Sequence, residues 1–597
     1  MKLHRSITTL LTTAALLGSV SAEAVPKAPQ LTETPEQREE RIKWFRDAKF
    51  GLFIHWGPSA ISGEEISWGM KDRIEGGGHH MKVPRNEYMN LYKQFNPVKW
   101  NPDALFDLAT DAGMKYVVFV TKHHDGFTMW PTKEKRFPAG AEFPVHYSIA
   151  DTPYKKDPTR MVQQAAKKHA MKLGWYYSTR DWTHPDYLQG DNKTYNDYYE
   201  NQVMELMDEY GPVDLLWFDH TFGRWDLYTI PRLFERMYEK NPKLLVNDRA
   251  AKALPDIPAK YEPLNKADFD TPENRMGAFQ YGRAWESCMI LSPHADHGGW
   301  SYRPDGVTRS LTETLRLLSS AVTGDGNMLL NLAPLPDGSI RREEEAVLKG
   351  IVPWMKKYGE AIHATRGGPW HNGPWGGSTH RGKVVYVHVF EPSDEPLNLR
   401  ALPQKVTAAT TIDGTPVSFK QTNSAVALTI PKSARDPHVT VLKLTLDEPV
   451  SSPLDGPAIA DQVEDDPTGT LVFTPRDARL EGGLQAQERA GVSSIGYWGS
   501  PDGSATWDVG INSPATYQIR LSVSNNEPGA KLLIEIAGKS FTVEVPDTDN
   551  HDSYKSVDAG KITFPNAEKT TLRVSVADKG NWRPTNIRSV KLITSNH

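Results

Sequence analysis

Between residues 50 and 332 the chain repeats one alternation that few folds can satisfy: a short apolar run, a polar residue able to do chemistry, then an amphipathic stretch. The runs are 50–54, 116–120, 173–177, 215–218, 244–246 and 328–330. Each has the length and apolar character of a strand buried on both faces. Residues 102–112, 161–171, 195–210, 230–240 and 310–323 carry helical spacing between them, and strand alternating with helix predicts a parallel sheet covered by helices. A (β/α)8-like barrel accommodates this stretch as one domain, and all its C-terminal strand ends open on one face. The polar residues stand at those ends: His55-Trp56, His123-His124-Asp125, Ser178 with Asp181, Asp219-His220, Asn247-Asp248-Arg249 and Asn331. They are expected to converge into one pocket.

A chain of 597 residues is too long for a single core. The barrel is expected over 36–365, after a linker at 26–35 and a helix at 37–45. From about Pro369 the pattern changes to short alternating runs at 383–389, 425–430 and 438–446, which predicts a β-sandwich over 369–447. Residues 448–468, with Ser-Ser-Pro, Asp-Gly-Pro and Asp-Asp-Pro, read as a linker. Further runs at 505–509, 516–523, 531–536 and 571–576 predict a second sandwich over 469–597. The fold class is thus α/β: a barrel followed by two antiparallel β-sandwich domains.

Lys2 and Arg5 precede an apolar stretch at 7–17 and small residues at 19–22, which reads as a secretory signal over 1–22. A bilayer span needs about 20 apolar residues, and this stretch is shorter. Cys288 is the only cysteine, so no intrachain disulfide is possible. Export in a bacterium, to the periplasm or the medium, fits both features. The 69 basic against 74 acidic residues leave no basic field, which argues against a nucleic acid partner.

The sharpest local pattern is Asp214-Leu215-Leu216-Trp217-Phe218-Asp219-His220. A carboxylate at a strand end beside an indole is suited to attack an anomeric carbon; the plainer reading is a helix-capping Asp. Glycoside hydrolysis needs a second carboxyl, and Glu273 and Glu286 both follow at a suitable remove. His55, His123 and His124 can bind sugar hydroxyls. Metal ligation is the rival reading, weakened because neighbours on a strand point to opposite faces; no metal and no cofactor are expected. His79-His80, after three glycines, reads as a loop over the site. Arg249 can hold a carboxylate or a sugar oxygen. Trp56, Trp68, Trp130, Trp182 and Trp217 are candidates for stacking on a sugar, or for the core.

Three ordered motifs go further: Phe50-Gly51-Leu52-Phe53-Ile54-His55-Trp56-Gly57, Lys115 to Phe127 with His123-His124-Asp125-Gly126, and Leu216-Trp217-Phe218-Asp219. With Val246-Asn247-Asp248-Arg249, Trp285-Glu286-Ser287-Cys288 and Asn327 to Pro334, the stretch from about Trp44 to His363 resembles glycoside hydrolase family 29, the α-L-fucosidases. The resemblance implies a barrel followed by a β-sandwich and a retaining double displacement that releases terminal α-L-fucose. Carried over by position, it implies Asp219 as nucleophile, with His55, His123, His124, Tyr177, Trp217 and Arg249 contacting fucose. For the acid/base it favours Glu273, in Thr271-Pro272-Glu273, over Glu286.

The implied substrate is a fucosylated oligosaccharide or polysaccharide, and no cofactor is required. Two departures stand out: His220 where the family commonly has Gly, and Glu64-Glu65-Ile66-Ser67-Trp68 where it commonly has Glu-Trp-Tyr. They leave open a related sugar, such as an α-L-galactoside or a sulfated fucoside. A non-catalytic glycan-binding protein on the same scaffold is the alternative of another class. The acid/base is expected to be the more desolvated of the two catalytic carboxyls. The last segment is similar to carbohydrate-binding sandwiches, with Trp498 or Trp582 as the ring offered to a glycan.

Overall fold

The computed structural model describes residues 28–594 except 73–81, 220–226, 252–256, 275, 277–278, 295–297, 374, 424, 455–469, 476–477, 490–491, 512–513, 549–550 and 552–553. The expected secretory signal, His79-His80, His220 and most of the expected linker lie outside those residues.

Eight parallel strands form the first sheet: β1 (Phe50–Ile54), β2 (Tyr116–Lys122), β3 (Lys172–Ser178), β4 (Leu215–Asp219), β5 (Leu245–Val246), β6 (Phe269–Asp270), β7 (Ala284–Ile290) and β8 (Asn327–Leu332). Their order is β5-β4-β3-β2-β1-β8-β7-β6, and a parallel bridge between Asn247 and Phe269 joins the two ends into a nearly closed barrel. At that seam the Asp268 carboxylate accepts from the Val246 N–H (2.8 Å), standing in for a ladder rung. Gln30 and Arg41 also bind Asp268. Gln30 belongs to a short helix, Pro29–Thr32, where the sequence suggested linker.

Helices Pro102–Asp111, Pro158–Lys168, Lys193–Glu209, Ile230–Lys240 and Leu311–Thr323 cover the sheet. Their starts follow from local chemistry. Asn101 and Asp157 each accept an N–H of the first turn, with Pro at the first helical position where its missing N–H is no loss. The Asp157 cap starts its helix three residues before the expected 161. β6 and β7 gave no apolar run: β6 is two residues long, and β7 carries Glu286 and Ser287 at its middle.

Because strand side chains alternate, the sheet divides its residues between two cores. Phe53, Tyr116, Val118, Tyr176, Trp217, Cys288 and Leu329 pack inside the barrel. Leu52, Ile54, Val117, Trp175, Tyr177, Phe218 and Leu330 pack outward under the helices. Gly51 faces the interior, and a Cβ there would lie 2.4 Å from the Tyr116 ring; the missing side chain lets that ring occupy the barrel axis. Tyr116 in turn donates to Glu286, which also accepts from Trp217 Nε1 (3.0 Å).

Downstream, antiparallel sheets replace the barrel. Strands Gly376–Arg381, Val384–Val389 and Thr440–Leu446 belong to a five-stranded sheet, and Leu397–Arg400, Ser418–Gln421 and Ala425–Thr429 form a three-stranded one. Trp370, Val387, Leu428 and Leu442 lie in the core they share. A six-stranded and a five-stranded sheet follow, around Trp507, Ile519, Ile534 and Val574. Trp498 is 1% exposed and belongs to this core, which corrects its assignment as a surface platform. Trp582 is half-buried and donates to the Trp498 carbonyl, while Tyr497, next to Trp498 in the chain, is 65% exposed. Among the described residues no helix is long and apolar enough to cross a membrane.

Burial pushes the Glu286 carboxyl up to about 7, against the lowering effect of Tyr116 and Trp217. The folded state therefore binds more protons than the unfolded chain between about pH 4.5 and 7, and this group's contribution to stability falls as pH rises through that window. The Glu286→Gln variant keeps an acceptor for Trp217, turns the Tyr116 contact into an amide N–H donating to the phenol oxygen, and abolishes the titration. Thermal unfolding at a series of pH values should show it gaining up to about 3 kcal/mol on the wild type between pH 4.5 and 8; parallel curves would contradict the argument.

Candidate active site

The C-terminal ends of the strands surround a pocket lined by Phe53, His55, Trp68, His123, His124, Tyr176, Trp217, Asp219, Arg249, Glu273, Cys288 and Trp300. Asp219 ends β4 with its side chain 10% exposed. Its Oδ2 accepts from the Tyr176 hydroxyl (2.7 Å), and its Oδ1 accepts from Arg249 Nη1 (3.1 Å). Glu273 stands higher, 40% exposed, with Arg249 Nη2 at 2.9 Å and Trp300 Nε1 donating at 3.1 Å. One guanidinium therefore holds both carboxylates.

Arg249 is itself fixed by Thr271, whose hydroxyl and carbonyl accept at 2.9 and 3.0 Å, and lies 4.8 Å over the Trp217 ring. Burial works against its charge, but Glu273 and Asp219 outweigh burial and hold it above its ordinary value. Glu273 owes its place to β7: it bridges Cys288, whose N–H donates to the Pro272 carbonyl (3.1 Å) while Asn274 N–H donates to the Cys288 carbonyl (2.9 Å).

The imidazoles form the opposite wall. His55 Nδ1 meets Asn331 Oδ1 at 2.7 Å, and Asn331 is oriented by its amide bond to the Trp300 carbonyl (2.8 Å). The ring therefore donates from Nδ1 and keeps Nε2 as acceptor. Burial pushes His55 down to about 4, so it is neutral at ordinary pH. Ser67 accepts from Asp125 N–H (2.9 Å) and lies 2.7 Å from His123 Nδ1. Ser178 lies 2.6 Å from His124 Nδ1. His123 stacks on Tyr176, and Tyr176 on Trp217, each with ring centres 5.5 Å apart.

His123 and His124 follow the end of β2 rather than lying within it, so both rings face the same pocket, 4.0 Å apart. This corrects the opposite-face expectation. With Asp219 they bring one potential ligand atom each within 4.8 Å of one another. Arg249 on the same carboxylate repels a cation, and both Nδ1 atoms are engaged by serine hydroxyls. The trio is suited to sugar hydroxyls.

Three expected site residues lie outside the pocket. Trp56 is buried against Phe95 and Trp100 and donates to the Leu335 carbonyl. Tyr177 points outward and donates to Gln202 (2.9 Å) because its neighbour Tyr176 points inward. Glu286 is wholly buried one strand layer below the pocket. Of the remaining indoles, Trp130 is core and donates to Glu205, and Trp182 backs Trp68 and His124. The more desolvated of the two pocket carboxyls is Asp219 rather than Glu273, because Glu273 sits at the mouth. Phe53, Tyr176 and Cys288 were readable by counting two positions along a strand from His55, Ser178 and Glu286. Trp300 lies on a loop without periodicity.

Two carboxyl groups held on one guanidinium, beside stacked aromatic rings and imidazoles at the mouth of a parallel barrel, define a glycosidase. The comparisons name the sugar. A family model for alpha-L-fucosidase matches residues 19–360, so the chain belongs to the alpha-L-fucosidase family and is a fucose-releasing glycosidase. The tissue alpha-L-fucosidase of Macaca fascicularis is 28% identical over 62% of this chain and 79% of its own. Alpha-L-fucosidase isoenzyme 1 from Paenibacillus thiaminolyticus is 30% identical, covers 70% of this chain and all of its own, and superimposes with a TM-score of 0.59. A GH29 alpha-L-fucosidase from Bacteroides thetaiotaomicron, solved as a trapped covalent intermediate with 2-fluoro-fucosyl fluoride, is 28% identical over 68% of this chain and 96% of its own, with a TM-score of 0.58.

The parity of β3 yields a direct test. Tyr176→Phe removes a charge-assisted hydrogen bond from Asp219 and should lower kcat/KM on an aryl α-L-fucoside by about tenfold or more. Tyr177→Phe should leave kcat/KM within about twofold and lower stability by about 1 kcal/mol. The reverse ranking would put the wrong tyrosine in the pocket.

Proposed function

We propose that the protein is an exported, exo-acting, retaining α-L-fucosidase in which Asp219 is the nucleophile and Glu273 the acid/base. The observation that carries this reading is the Arg249 guanidinium joined to both carboxylates, one at the floor of the pocket and one at its mouth. The covalent intermediate trapped in the Bacteroides relative supports the double displacement.

Asp219 Oδ attacks the anomeric carbon while the Glu273 carboxylic acid gives its proton to the departing glycosidic oxygen. The C–O bond to the leaving group breaks as the fucosyl–Asp219 ester forms. Glu273, now a carboxylate, takes a proton from water, whose oxygen attacks the same carbon and returns the Asp219 carboxylate. As its charge is consumed, Asp219 loosens from Arg249 and Tyr176. Their donors are then free to stabilise negative charge on the departing oxygen. Neutral His55, with His123 and His124, binds the fucose hydroxyls, and Trp68 and Trp217 offer ring faces.

We also propose the domain division read from the sequence: barrel 36–365, sandwich 369–447, linker 448–468 and a second sandwich 469–597 that holds a glycan. With Trp498 in the core, Tyr497 is the ring available for it.

Azide separates the two roles. Glu273→Ala should lose about 10²–10⁴ in rate on an unactivated fucoside, retain turnover of an activated one and yield α-L-fucosyl azide. Asp219→Gly should yield the β-anomer or no product. Exchange of the two outcomes would reverse the assignments, and α-fucosyl azide from Glu286→Ala alone would move the acid/base to Glu286.

A further inference from the structure

Glu65, in the segment where the sequence departs from the family pattern, lies 2% exposed and outside the pocket. Its carboxylate accepts the backbone N–H groups of Gly299 and Ser301, the latter at 3.0 Å. Ser301 answers from the other side: its hydroxyl accepts the Ile66 N–H at 2.8 Å. The segment after β1 and the loop after β7 are thereby clasped at Glu65 and Ser301. Each carries one indole of the pocket wall, Trp68 and Trp300.

Trp300 is the residue between the two clasped amides. Its Nε1 donates to Glu273 Oε1 (3.1 Å), its ring lies 4.9 Å from His55, and its carbonyl accepts from Asn331. A carboxylate with its side chain 40% exposed has many rotamers open to it. Arg249 holds one Glu273 oxygen, and Trp300 holds the other.

We propose that Glu65 is a positioning residue for acid catalysis, setting the Trp300 indole that aims Glu273 at the leaving-group oxygen. This rests on Glu273 being the acid/base. Glu65 touches neither substrate nor reacting atoms; it acts by fixing the backbone on both sides of Trp300. Its removal should penalise substrates that need proton donation and spare those that do not.

The test compares kcat/KM, which reports the step that cleaves the glycosidic bond, on a methyl or phenyl α-L-fucoside, whose leaving group needs the proton, with kcat/KM on 2,4-dinitrophenyl α-L-fucoside, whose leaving group does not. Glu65→Gln and Trp300→Phe should each lower the ratio of the first rate to the second by about tenfold, and the double variant by no more than Trp300→Phe alone. Ser301→Ala, the milder change, should lower it about threefold in the same direction. Thermal unfolding verifies that each variant is folded, and Ser301→Ala carries the test if Glu65→Gln is not. An unchanged ratio in the folded variants, or losses that multiply in the double variant, would overturn the inference. Glu273→Gln serves as reference. If it leaves the ratio unchanged the acid/base reading itself fails, whereas a large change there beside unchanged Glu65 and Ser301 variants refutes the positioning role alone.

Discussion

A strand in a closed parallel barrel must send alternate side chains to opposite layers, and this constraint governs the whole catalytic region. Tyr176, Trp217 and Asp219 face inward because Tyr177, Leu216 and Phe218 face the helices. A one-residue slip of β4 would exchange Asp219 for Phe218 at the pocket floor. The apolar outward set, buried under helices, makes that exchange costly. Chemistry at the mouth is thus held in register by hydrophobic packing on the other face of the same strands.

Within that frame, charge is organised around Arg249. A guanidinium is planar and always charged, with donors on two edges, and here those edges serve Asp219 and Glu273 while Thr271 fixes its plane. The neutral His55 and the serine-bound His123 and His124 add hydrogen-bonding capacity without further fixed charge from His55. Glu286 completes the vertical order. It lies beneath Trp217, buried and pushed up to about 7, so that over much of the ordinary pH range it holds the indole without a full charge beneath Asp219.

Strands with strong apolar runs, and the helices between them, were legible in the sequence to within three residues, because burial dictates composition there. β6 and β7 were not, since a two-residue strand has no periodicity and a strand carrying an inward Glu imitates a loop. Of the pocket, Asp219, His55, His123, His124, Trp217, Arg249 and Glu273 were marked by strand-end position or resemblance, and Trp68 as an indole able to stack on a sugar. Tyr177 was chosen over Tyr176 because two adjacent tyrosines look alike until the parity of the strand is fixed. Trp56 and Glu286 were misplaced because a residue can follow an apolar run, or sit as a charge within an unrecognised strand, and still be core. Trp300 lies between two residues whose amides bind Glu65 across a separation in sequence that no local pattern records.

The seam between β5 and β6 gives the ring an uneven hoop strength. Its two staves are the shortest, and a carboxylate from Asp268 replaces a rung of their ladder. Arg249 and Glu273 follow these two short staves, whereas Asp219 ends, and the imidazoles follow, strands of five to seven residues. Loops over the join can be exchanged or lengthened without unstitching the long staves. On the proposed roles, the sugar is gripped above the longer staves and the leaving group departs above the shorter ones.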